Sequence, residues 1–305
     1  MKLFIFYASH LVFPFITIAF LGVLRGKGVV RFLALIGLLS AYVFGYARYG
    51  EPRMLHIQHE TLFLDGADEQ APNLRLALFS DTHFGIFKHA MPMSRIVDAV
   101  KEENPDAVFI AGDFLYHLKP EDIPAALAPL GEIAVPVFAV LGNHDVGFPG
   151  PIYTAELYNA LQSLDVTLVE NRAYEVTIAG QELIIGGVSD LWQRQQSYDF
   201  SAGLPDKPLI LLTHNPDTAF TVPADVPFSL MLAGHTHGGQ VRIPGLVQRV
   251  VPTQYPFDKG LHEVVTRGGD RLVYVTTGTG MVGLPLRLNM PPRIDILTVH
   301  LPAYE

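Results

Sequence analysis

Apolar and polar positions divide the chain into two unequal parts. Residues 3–24 form a nearly continuous apolar run, and residues 32–47 carry no charged side chain. Each run approaches the ~20 residues that a helix needs to cross a bilayer, the second when it is counted from Val29. The residues between the runs, 25–28, predict a tight turn. We interpret residues 1–49 as a membrane anchor made of two transmembrane helices, with a single span plus an interfacial helix, or two buried core helices, as alternatives.

Residues 50–305 are predicted to form one domain of short apolar runs, polar clusters and segments with helical spacing. In its first half the predicted strands are 54–64, 74–79, 107–111 and 135–141, and the predicted helices are 91–103, 121–130 and 153–164. The second half is richer in strands, predicted at 167–169, 174–178, 182–188, 209–212, 230–233, 272–276 and 294–301. Alternating strands and helices imply an α/β fold with parallel strands. The strand count favours two sheets packed together and flanked by helices.

Composition adds a charge asymmetry to this pattern. The chain is 49% hydrophobic and 17% charged, and its first 49 residues hold five Lys/Arg and no Asp/Glu. The remainder has 16 basic and 30 acidic residues, a formal charge of −14. Such an acidic surface repels polyanions, which argues against nucleic acid as the substrate. The absence of cysteine excludes disulfides and thiolate metal sites.

Five polar clusters follow apolar runs, each at the carboxyl end of a predicted strand. They are DTH at 81–83, GD at 112–113, GNHD at 142–145, TH at 213–214 and GHTH at 234–237. Open α/β sheets bind their ligands at the carboxyl ends of the strands, so one fold brings all five clusters to a single edge. Each motif alone is weak, but their joint occurrence in this order points to a metal site.

The clusters contain ligands for two divalent metals, which prefer carboxylate oxygen and neutral imidazole nitrogen. We assign one metal to Asp81, His83, Asp113 and His237, and the other to Asp113, Asn143, His214 and His235. Asp81 and His83 are two residues apart and point the same way if the chain is extended there. Metals in such a pair lie ~3.5–4 Å apart and share a hydroxide for in-line attack on phosphorus.

His144 and Asp145 are the predicted catalytic residues beside these ligands. His144 follows Asn143 and is expected to donate a proton to the leaving oxygen or a hydrogen bond to the developing charge. Asp145 is expected to accept a hydrogen bond from the other ring nitrogen of His144, which would fix the tautomer and orientation of the ring.

In this order the five clusters resemble the calcineurin-like metallophosphoesterase superfamily, over about residues 74–300. The longer strings GHTHGGQ at 234–240 and LPLR at 284–287 are similar to its membrane-anchored bacterial branch of phosphohydrolases and phosphodiesterases. The resemblance implies a four-layer α-β-β-α sandwich and two divalent metal ions, and it supports the ligand assignment given above. Manganese is the favoured ion, with iron, zinc, magnesium and cobalt as alternatives.

The expected function is metal-dependent hydrolysis of a phosphodiester, a phosphomonoester or a lipid-linked pyrophosphate at the membrane. We expect a multi-pass protein of the inner cell membrane. Lys and Arg are distributed almost evenly around the apolar runs, which leaves open the side that the catalytic domain faces. A non-catalytic membrane scaffold with the same fold is the alternative, although a decayed enzyme commonly loses ligands and none is missing. The oligomeric state is left open.

Tyr116 ends a string, GDFLY at 112–116, that resembles the GDxxY string of purple acid phosphatases, in which the tyrosine binds ferric iron. That branch lacks the histidine of the first cluster, whereas His83 is present here. We therefore interpret Tyr116 as a packing residue or as one that supports the metal ligands without binding the metal. Further candidates to contact the phosphate or head group, line the substrate mouth or cap the site are Arg242, Arg287, His89, His117 and the segment 192–200.

Overall fold

The computed structural model describes residues 2–87, 91–243 and 251–302. Its N-terminal part is a helical hairpin of α1 (Lys2–Ala8), a 3₁₀ turn (Ser9–Leu11), α2 (Val12–Arg25) and α3 (Gly28–Gly45). The predicted turn lies between α2 and α3, where Gly28 has a φ of +51°. The second arm continues without a linker through a π-helical turn (Tyr46–Gly50) and a 3₁₀ turn (Glu51–Arg53) toward the first strand.

The hairpin has the surface of a membrane-associated element. The segments Leu3–Arg25 and Gly28–Arg53 are long and apolar enough to cross a membrane. In the most apolar 18-residue stretch of each segment, only 22% and 6% is buried. Large apolar side chains on both arms, such as Phe4, Val29 and Tyr42, are exposed. Neither arm is buried to the extent that a core helix would be.

Strands and short helices make up the rest of the chain. The strands are β1 (His56–Phe63), β2 (Asn73–Phe79), β3 (Phe84–Gly85), β4 (Ala107–Ala111), β5 (Leu115–Tyr116), β6 (Val137–Val140), β7 (Val166–Leu168), β8 (Arg172–Ile178), β9 (Gln181–Gly187), β10 (Leu209–Leu212), β11 (Phe228–Ala233), β12 (Gly260–Thr266), β13 (Gly269–Val275) and β14 (Arg293–His300). The α-helices are α4 (Met93–Glu102), α5 (Ile123–Leu127) and α6 (Thr154–Gln162). Every predicted strand has a counterpart here.

Within the described residues twelve of the strands form two six-stranded sheets, and β3 and β5 form a separate parallel pair. The first has the order β1-β14-β2-β4-β6-β7 and is parallel except between β14 and β2. The second has the order β12-β13-β11-β10-β9-β8, with parallel strands in the centre and an antiparallel pair at each edge. Because β2, β4 and β6 run parallel, as do β10 and β11, the five polar clusters lie at the carboxyl edges of the two sheets.

The two sheets pack face to face through a shared apolar core, to which the first sheet contributes residues such as Phe109 and the second residues such as Leu232. The helices α4 to α6 cover the outer face of the first sheet. The outer face of the second sheet packs against loops and the 3₁₀ turns Asp199–Ser201 and Pro216–Phe220. The predicted four-layer arrangement is confirmed, with 3₁₀ turns rather than α-helices on the second sheet in the described part of the chain.

Two local differences from the predictions have simple causes. The segment 121–130, predicted as one helix, consists of a 3₁₀ turn (Pro120–Asp122), α5 and another 3₁₀ turn (Ala128–Glu132). Pro124 and Pro129 each lie in the first turn of their own segment, because a continuous helix would need an N–H group that Pro129 lacks. The strand β12 escaped prediction because it is an edge strand without a fully buried residue.

Candidate metal centre

The residues that follow the strand ends adopt left-handed backbone conformations. The φ angles are +52° at Asp81, +47° at His83, +55° at Asp113, +69° at His235 and +51° at His237. Such conformations cost roughly 1–3 kcal/mol each for residues other than glycine and cluster at functional sites. The expectation of an extended chain at Asp81 and His83 is therefore wrong. Hydrogen bonds from Asp81 N to Gly112 O (2.8 Å) and from His83 N to Asp113 O (3.1 Å) hold the first cluster against the second.

Three of the predicted ligands form what we term the first subsite: Asp81, His83 and His237. The Nε2 atoms of His83 and His237 are 3.0 Å apart. Asp81 Oδ1 lies 3.7 Å from His83 Nε2 and 3.3 Å from His237 Nε2. Asp113 Oδ2 is 3.5 Å from His83 Nε2. The ligand atoms of the first subsite are close enough to hold one cation together.

Three others form the second subsite: Asn143, His214 and His235. His214 Nε2 lies 3.1 Å from both Asn143 Oδ1 and His235 Nδ1. Asp113 Oδ2 is 3.3 Å from the same nitrogen, so this one oxygen faces both subsites. The other ring nitrogen of His214 donates to the carbonyl of Ala111 (2.7 Å), which directs the Nε2 atom into the subsite.

Burial and charge set opposite protonation preferences in this cluster. Burial lowers the pKa of His235 to about 3 and that of His237 to about 4, so both rings are neutral near pH 7. Burial opposes the charged form of His214 as well, but Asp113 outweighs it and raises the pKa of His214 to about 10. Burial likewise acts against ionised Asp81 and Asp113, yet His237 and His214 hold their pKa values below the usual range.

The donor set fits a pair of divalent cations. Two carboxylates, one amide oxygen and four imidazoles are the ligand types that such ions prefer. Asp81 Oδ1 is buried, has no hydrogen-bond partner among the described residues and faces two imidazole nitrogens. A buried carboxylate oxygen without a donor needs an explanation, and a bound cation supplies one.

Comparison with known proteins gives the family. The sequence model of the calcineurin-like phosphoesterases matches residues 74–239. The chain is 33% identical over 264 residues to phosphodiesterase YaeI of Escherichia coli (strain K12), an alignment that covers 83% of this chain and 92% of that protein. The chain belongs to the calcineurin-like phosphoesterase family. It is also 29% identical over 285 residues to the uncharacterized metallophosphoesterase YkuE of Bacillus subtilis (strain 168), covering 90% of this chain and 95% of that protein.

Membership in the calcineurin-like phosphoesterases makes the protein a phosphoric ester hydrolase of a family that uses divalent metals. The transmembrane protein with metallophosphoesterase domain of Danio rerio is 30% identical over 275 residues, which covers 84% of this chain and 59% of that protein. The two apolar helices at the N-terminus of this phosphoesterase fit membrane association.

His144 of this phosphoesterase lies beside the ligands, but its partner is not Asp145. Its Nδ1 atom donates to the carbonyl of Pro149 (2.9 Å), which can only accept. The carboxylate of Asp145 instead accepts from the backbone N–H groups of Gly142, Phe114 and Leu115. The predicted hydrogen bond between Asp145 and His144 is therefore wrong. The carbonyl of Pro149 sets the tautomer, and Asp145 ties the GNHD loop to the residues after β4.

The surroundings of His144 leave its Nε2 atom available to accept or donate a proton. The ring packs edge-on against His83 and Tyr116, with centroids 5.2 and 5.1 Å away, and its backbone N–H donates to Asp113 Oδ1 (2.8 Å). Burial lowers the pKa of His144 to about 4, so the ring is neutral near pH 7 in the metal-free protein. Tyr116 packs against His83, as predicted.

The two arginines that were predicted to contact phosphate form hydrogen bonds and an ion pair within the protein. Arg287 is fully buried and its guanidinium donates to backbone carbonyls, so its predicted role as a phosphate contact is wrong. Arg242 Nη1 pairs with the carboxylate of Asp258 at 2.8 Å. His117 packs edge-on against Tyr116, and His89 lies outside the described residues.

Two residues in the segment after β9 extend the site. Trp192, in the predicted capping segment, packs edge-on against His235 with centroids 4.7 Å apart. Asp190 was not predicted: it is buried after β9, and burial raises its pKa while the charge of His214 acts against the rise. Its position after a strand that neighbours β10, at the same carboxyl edge, is the sequence signal that would have found it.

Proposed function

We propose that this protein is a membrane-attached two-metal phosphoesterase that acts on a lipid-linked phosphodiester or pyrophosphate. The observation that carries the proposal is the position of Asp113 Oδ2 within 3.5 Å of one imidazole in each subsite. A single carboxylate oxygen between two ligand sets is what a bridged pair of cations requires.

In this proposal the first subsite and Asp113 hold one cation, and the second subsite and Asp113 hold the other. Manganese is the proposed ion; the carboxylate and amide oxygens suit it, and the four imidazoles also suit iron and zinc. When bound, such a pair orients a phosphoryl group, neutralises its charge and acidifies water.

His144 is the proposed proton donor. Its Nδ1–H is committed to the carbonyl of Pro149, so Nε2 is the atom that faces proton exchange. A phosphoester bound beside the ring brings negative charge, which favours the protonated imidazole. The protonated Nε2 then donates to the leaving oxygen, and the Pro149 carbonyl keeps the ring in place.

An apolar groove beside the ligands supports a lipid-linked substrate. It has a volume of about 520 Å³, and its lining includes His235, His237, Val241, Ile243, Pro252, Val282, Leu284 and Leu286. Gln240 holds one wall through hydrogen bonds to the carbonyls of Val282 and Leu284 (3.1 and 2.9 Å). The same wall reaches the hairpin, where Arg287 N donates to Ala47 O (2.9 Å). A groove that begins at the metal ligands and adjoins an apolar hairpin favours an acyl or isoprenoid chain as the non-reacting part of the substrate.

The membrane context of the proposal rests on the exposed apolar surface of the hairpin. We propose that both arms span the inner cell membrane as a multi-pass anchor, with the catalytic domain starting near residue 50. The name of the Danio rerio relative, a transmembrane protein with this domain, supports the arrangement.

The test uses the full-length protein in lipid nanodiscs with manganese. We expect hydrolysis of a generic aryl phosphodiester that stops on chelation and returns with manganese. We also expect a lipid-linked pyrophosphate to be cleaved with higher kcat/KM than the same head group without its chain. Activity that ignores chelators would overturn the two-metal proposal, and equal rates for the two pyrophosphates would overturn the lipid-linked substrate. A metal-loaded protein that hydrolyses neither would favour the scaffold alternative.

A further inference from the structure

Arg287 is a fully buried cation whose guanidinium donates to two separate segments of the backbone. Its hydrogen bonds run from Nε to Gly280 O (2.8 Å), from Nη1 to Met290 O (3.0 Å), and from Nη2 to Thr277 O (3.1 Å) and Gly278 O (3.2 Å). The guanidinium therefore joins the loop 277–280 to the segment around Met290. A planar fork with five N–H groups can make this pattern, whereas a lysine ammonium cannot.

The loop that Arg287 holds covers Asp81. Thr279 N donates to Ser80 O (3.0 Å), and Gly280 N donates to Asp81 O (2.7 Å). Gly278, with a φ of +67°, lies so close that an added Cβ would come within 2.6 Å of the Asp81 Cβ. The loop 277–280 therefore stabilises the left-handed backbone at Asp81, and hydrogen bonds from Arg287 hold this loop in position.

Arg287 directly contacts one ligand of the first subsite, His237. Its Nη2 atom lies 3.4 Å from His237 Nδ1, the ring nitrogen opposite to the one that faces Asp81. Among the described residues, none of the hydrogen bonds of Arg287 reaches the ligands of the second subsite. Its direct hydrogen bonds therefore support the first subsite, and it reaches the second subsite indirectly, through Asp81 Oδ2, which accepts from the backbone N–H of His235 (3.1 Å).

The hairpin in turn holds the segment that carries Arg287. Ala47 O accepts from Arg287 N (2.9 Å). Glu51, buried where the hairpin ends, accepts from Asn289 N (3.0 Å) with one carboxylate oxygen and from Met290 N with the other. Although burial lowers the pKa of Arg287 to about 10, the charges of Asp81 and Glu51 favour its cationic form, which persists near pH 7.

We propose that the hairpin is a structural part of the metal centre, in which Glu51 and Arg287 act as positioning residues that set the metal affinity of the first subsite and leave that of the second unchanged. The inference rests on the proposed metal binding. It deepens that function by making the membrane element a determinant of the site rather than an anchor alone.

Two conservative substitutions separate this role from general stability. Glu51→Gln keeps the size of the side chain but places an NH₂ group against one of the two backbone N–H groups, so the 289–290 turn loses a partner. Arg287→Lys removes the fork that joins the loop 277–280 to His237. The matched controls are Glu60→Gln, on an exposed strand position, and Arg293→Lys, a buried arginine that pairs with Asp295 and contacts no ligand of either subsite among its hydrogen bonds and ion pairs in the described residues.

The experiment titrates the full-length, metal-stripped proteins in detergent micelles with Mn²⁺ and follows binding by electron paramagnetic resonance. We expect the wild type and both controls to bind two equivalents with the signal of a spin-coupled pair. Residues that orient ligands typically contribute about 10–100-fold to metal affinity. We therefore expect Arg287→Lys to weaken one equivalent by about 100-fold and Glu51→Gln by about tenfold, with the uncoupled signal of a single ion at low manganese. The retained second equivalent shows that each variant is folded.

Unchanged binding of both equivalents by the two variants would overturn the inference, as would equal weakening of both equivalents. An effect of Arg287→Lys without one of Glu51→Gln would overturn the role of the hairpin. A wild-type protein that takes up no manganese would overturn the proposed metal centre itself, and the inference with it.

Discussion

The two subsites share Asp113 but are supported by different parts of the molecule. In the second subsite, His214 follows a strand of the second sheet and its ring bonds the carbonyl of Ala111 at the end of a strand of the first sheet. The packing of the two sheets therefore places its ligands. In the first subsite, Asp81 and His237 are held by Arg287 and, through it, by the hairpin.

This difference indicates that the first subsite depends on contacts from outside the two sheets. Strand ends at a common edge bring the ligand side chains into one region, but the left-handed turns at Asp81 and His237 need further contacts to persist. For the first subsite these contacts come from a loop near the C-terminus and from the hairpin at the N-terminus. Variants that are expected to change metal binding at both subsites, at neither subsite or at one subsite test this difference in support.

The largest effect is expected from Asp113→Asn, because Asp113 is the residue that the subsites share. The amide keeps the shape but loses the charge that would bind both cations. Loss of about 5.5 kcal/mol of transition-state stabilisation corresponds to a decrease in kcat/KM of about 10⁴-fold. Elemental analysis should show both equivalents depleted. A variant that keeps one equivalent at wild-type affinity would show that Asp113 does not bridge.

His144→Ala should affect neither subsite but slow the reaction. Removal of a proton donor costs about 10²–10³-fold in kcat, while both metal equivalents remain because His144 is not among the proposed ligands. Steady-state kinetics with an aryl phosphodiester and metal analysis of the same sample provide the measurement. The exposed His56→Ala serves as the control. Loss of metal together with activity would make His144 a ligand instead of a donor.

The second subsite should release a proton when it binds metal. His214 carries a proton below its pKa of about 10 in the metal-free protein, and a cation must displace it. The affinity of this subsite should thus fall about tenfold per pH unit as the pH is lowered from 9 to 7. Because this pKa is raised above its unfolded value, the pair with Asp113 stabilises the metal-free fold fully below about pH 6.5, and that contribution is lost as the pH rises through about 10.

Calorimetric titration in buffers of different ionisation enthalpy counts the protons released. His237, with a pKa of about 4, is already neutral and contributes no proton from the first subsite near pH 7. A titration that releases no proton with either equivalent would contradict the charge assignment of His214.

The smallest effect concerns the groove, which borders one histidine of each subsite. Leu284→Asn should lower kcat/KM for a lipid-linked pyrophosphate by about tenfold, because an apolar side chain contributes about 1.5 kcal/mol when a lipid chain covers it. The water-soluble head group should be hydrolysed at the wild-type rate. An equal decrease for both substrates would place Leu284 in the support of the ligands rather than in lipid recognition.

Sequence reasoning found the side chains that converge in the candidate site because each polar cluster interrupts a pattern that apolar burial otherwise sets. Buried parallel strands such as β4 and β10 appear as short apolar runs, and residues such as Asp113 and His214 directly follow them. A strand end fixes the edge at which a side chain lies, so the convergence of the ligands followed from the order of the elements. Neither the helical hairpin nor the two-sheet sandwich needed more than periodicity and length.

The remaining features depend on contacts between distant segments, which local patterns do not carry. The acceptor for His144 is a backbone carbonyl at Pro149, and a carbonyl has no signature in the sequence. Arg287 was a candidate phosphate contact because arginine commonly binds phosphate. Its burial depends instead on contacts of its own segment with Glu51 and with the loop 277–280. Left-handed turns at non-glycine residues likewise follow from tertiary contacts and not from propensity.

The absence of a linker between the hairpin and the catalytic domain has a kinetic consequence. The helical turns at 46–53 connect the two, and Arg48 and Glu51 within them are buried. The domain is therefore attached rigidly to the hairpin rather than through a flexible tether. In the proposed membrane arrangement, a rigidly attached site would work at one height above the bilayer. Its encounters with the proposed lipid-linked substrate would then arise from lateral diffusion within a leaflet, and turnover would follow the mole fraction of substrate among the lipids and not its bulk concentration.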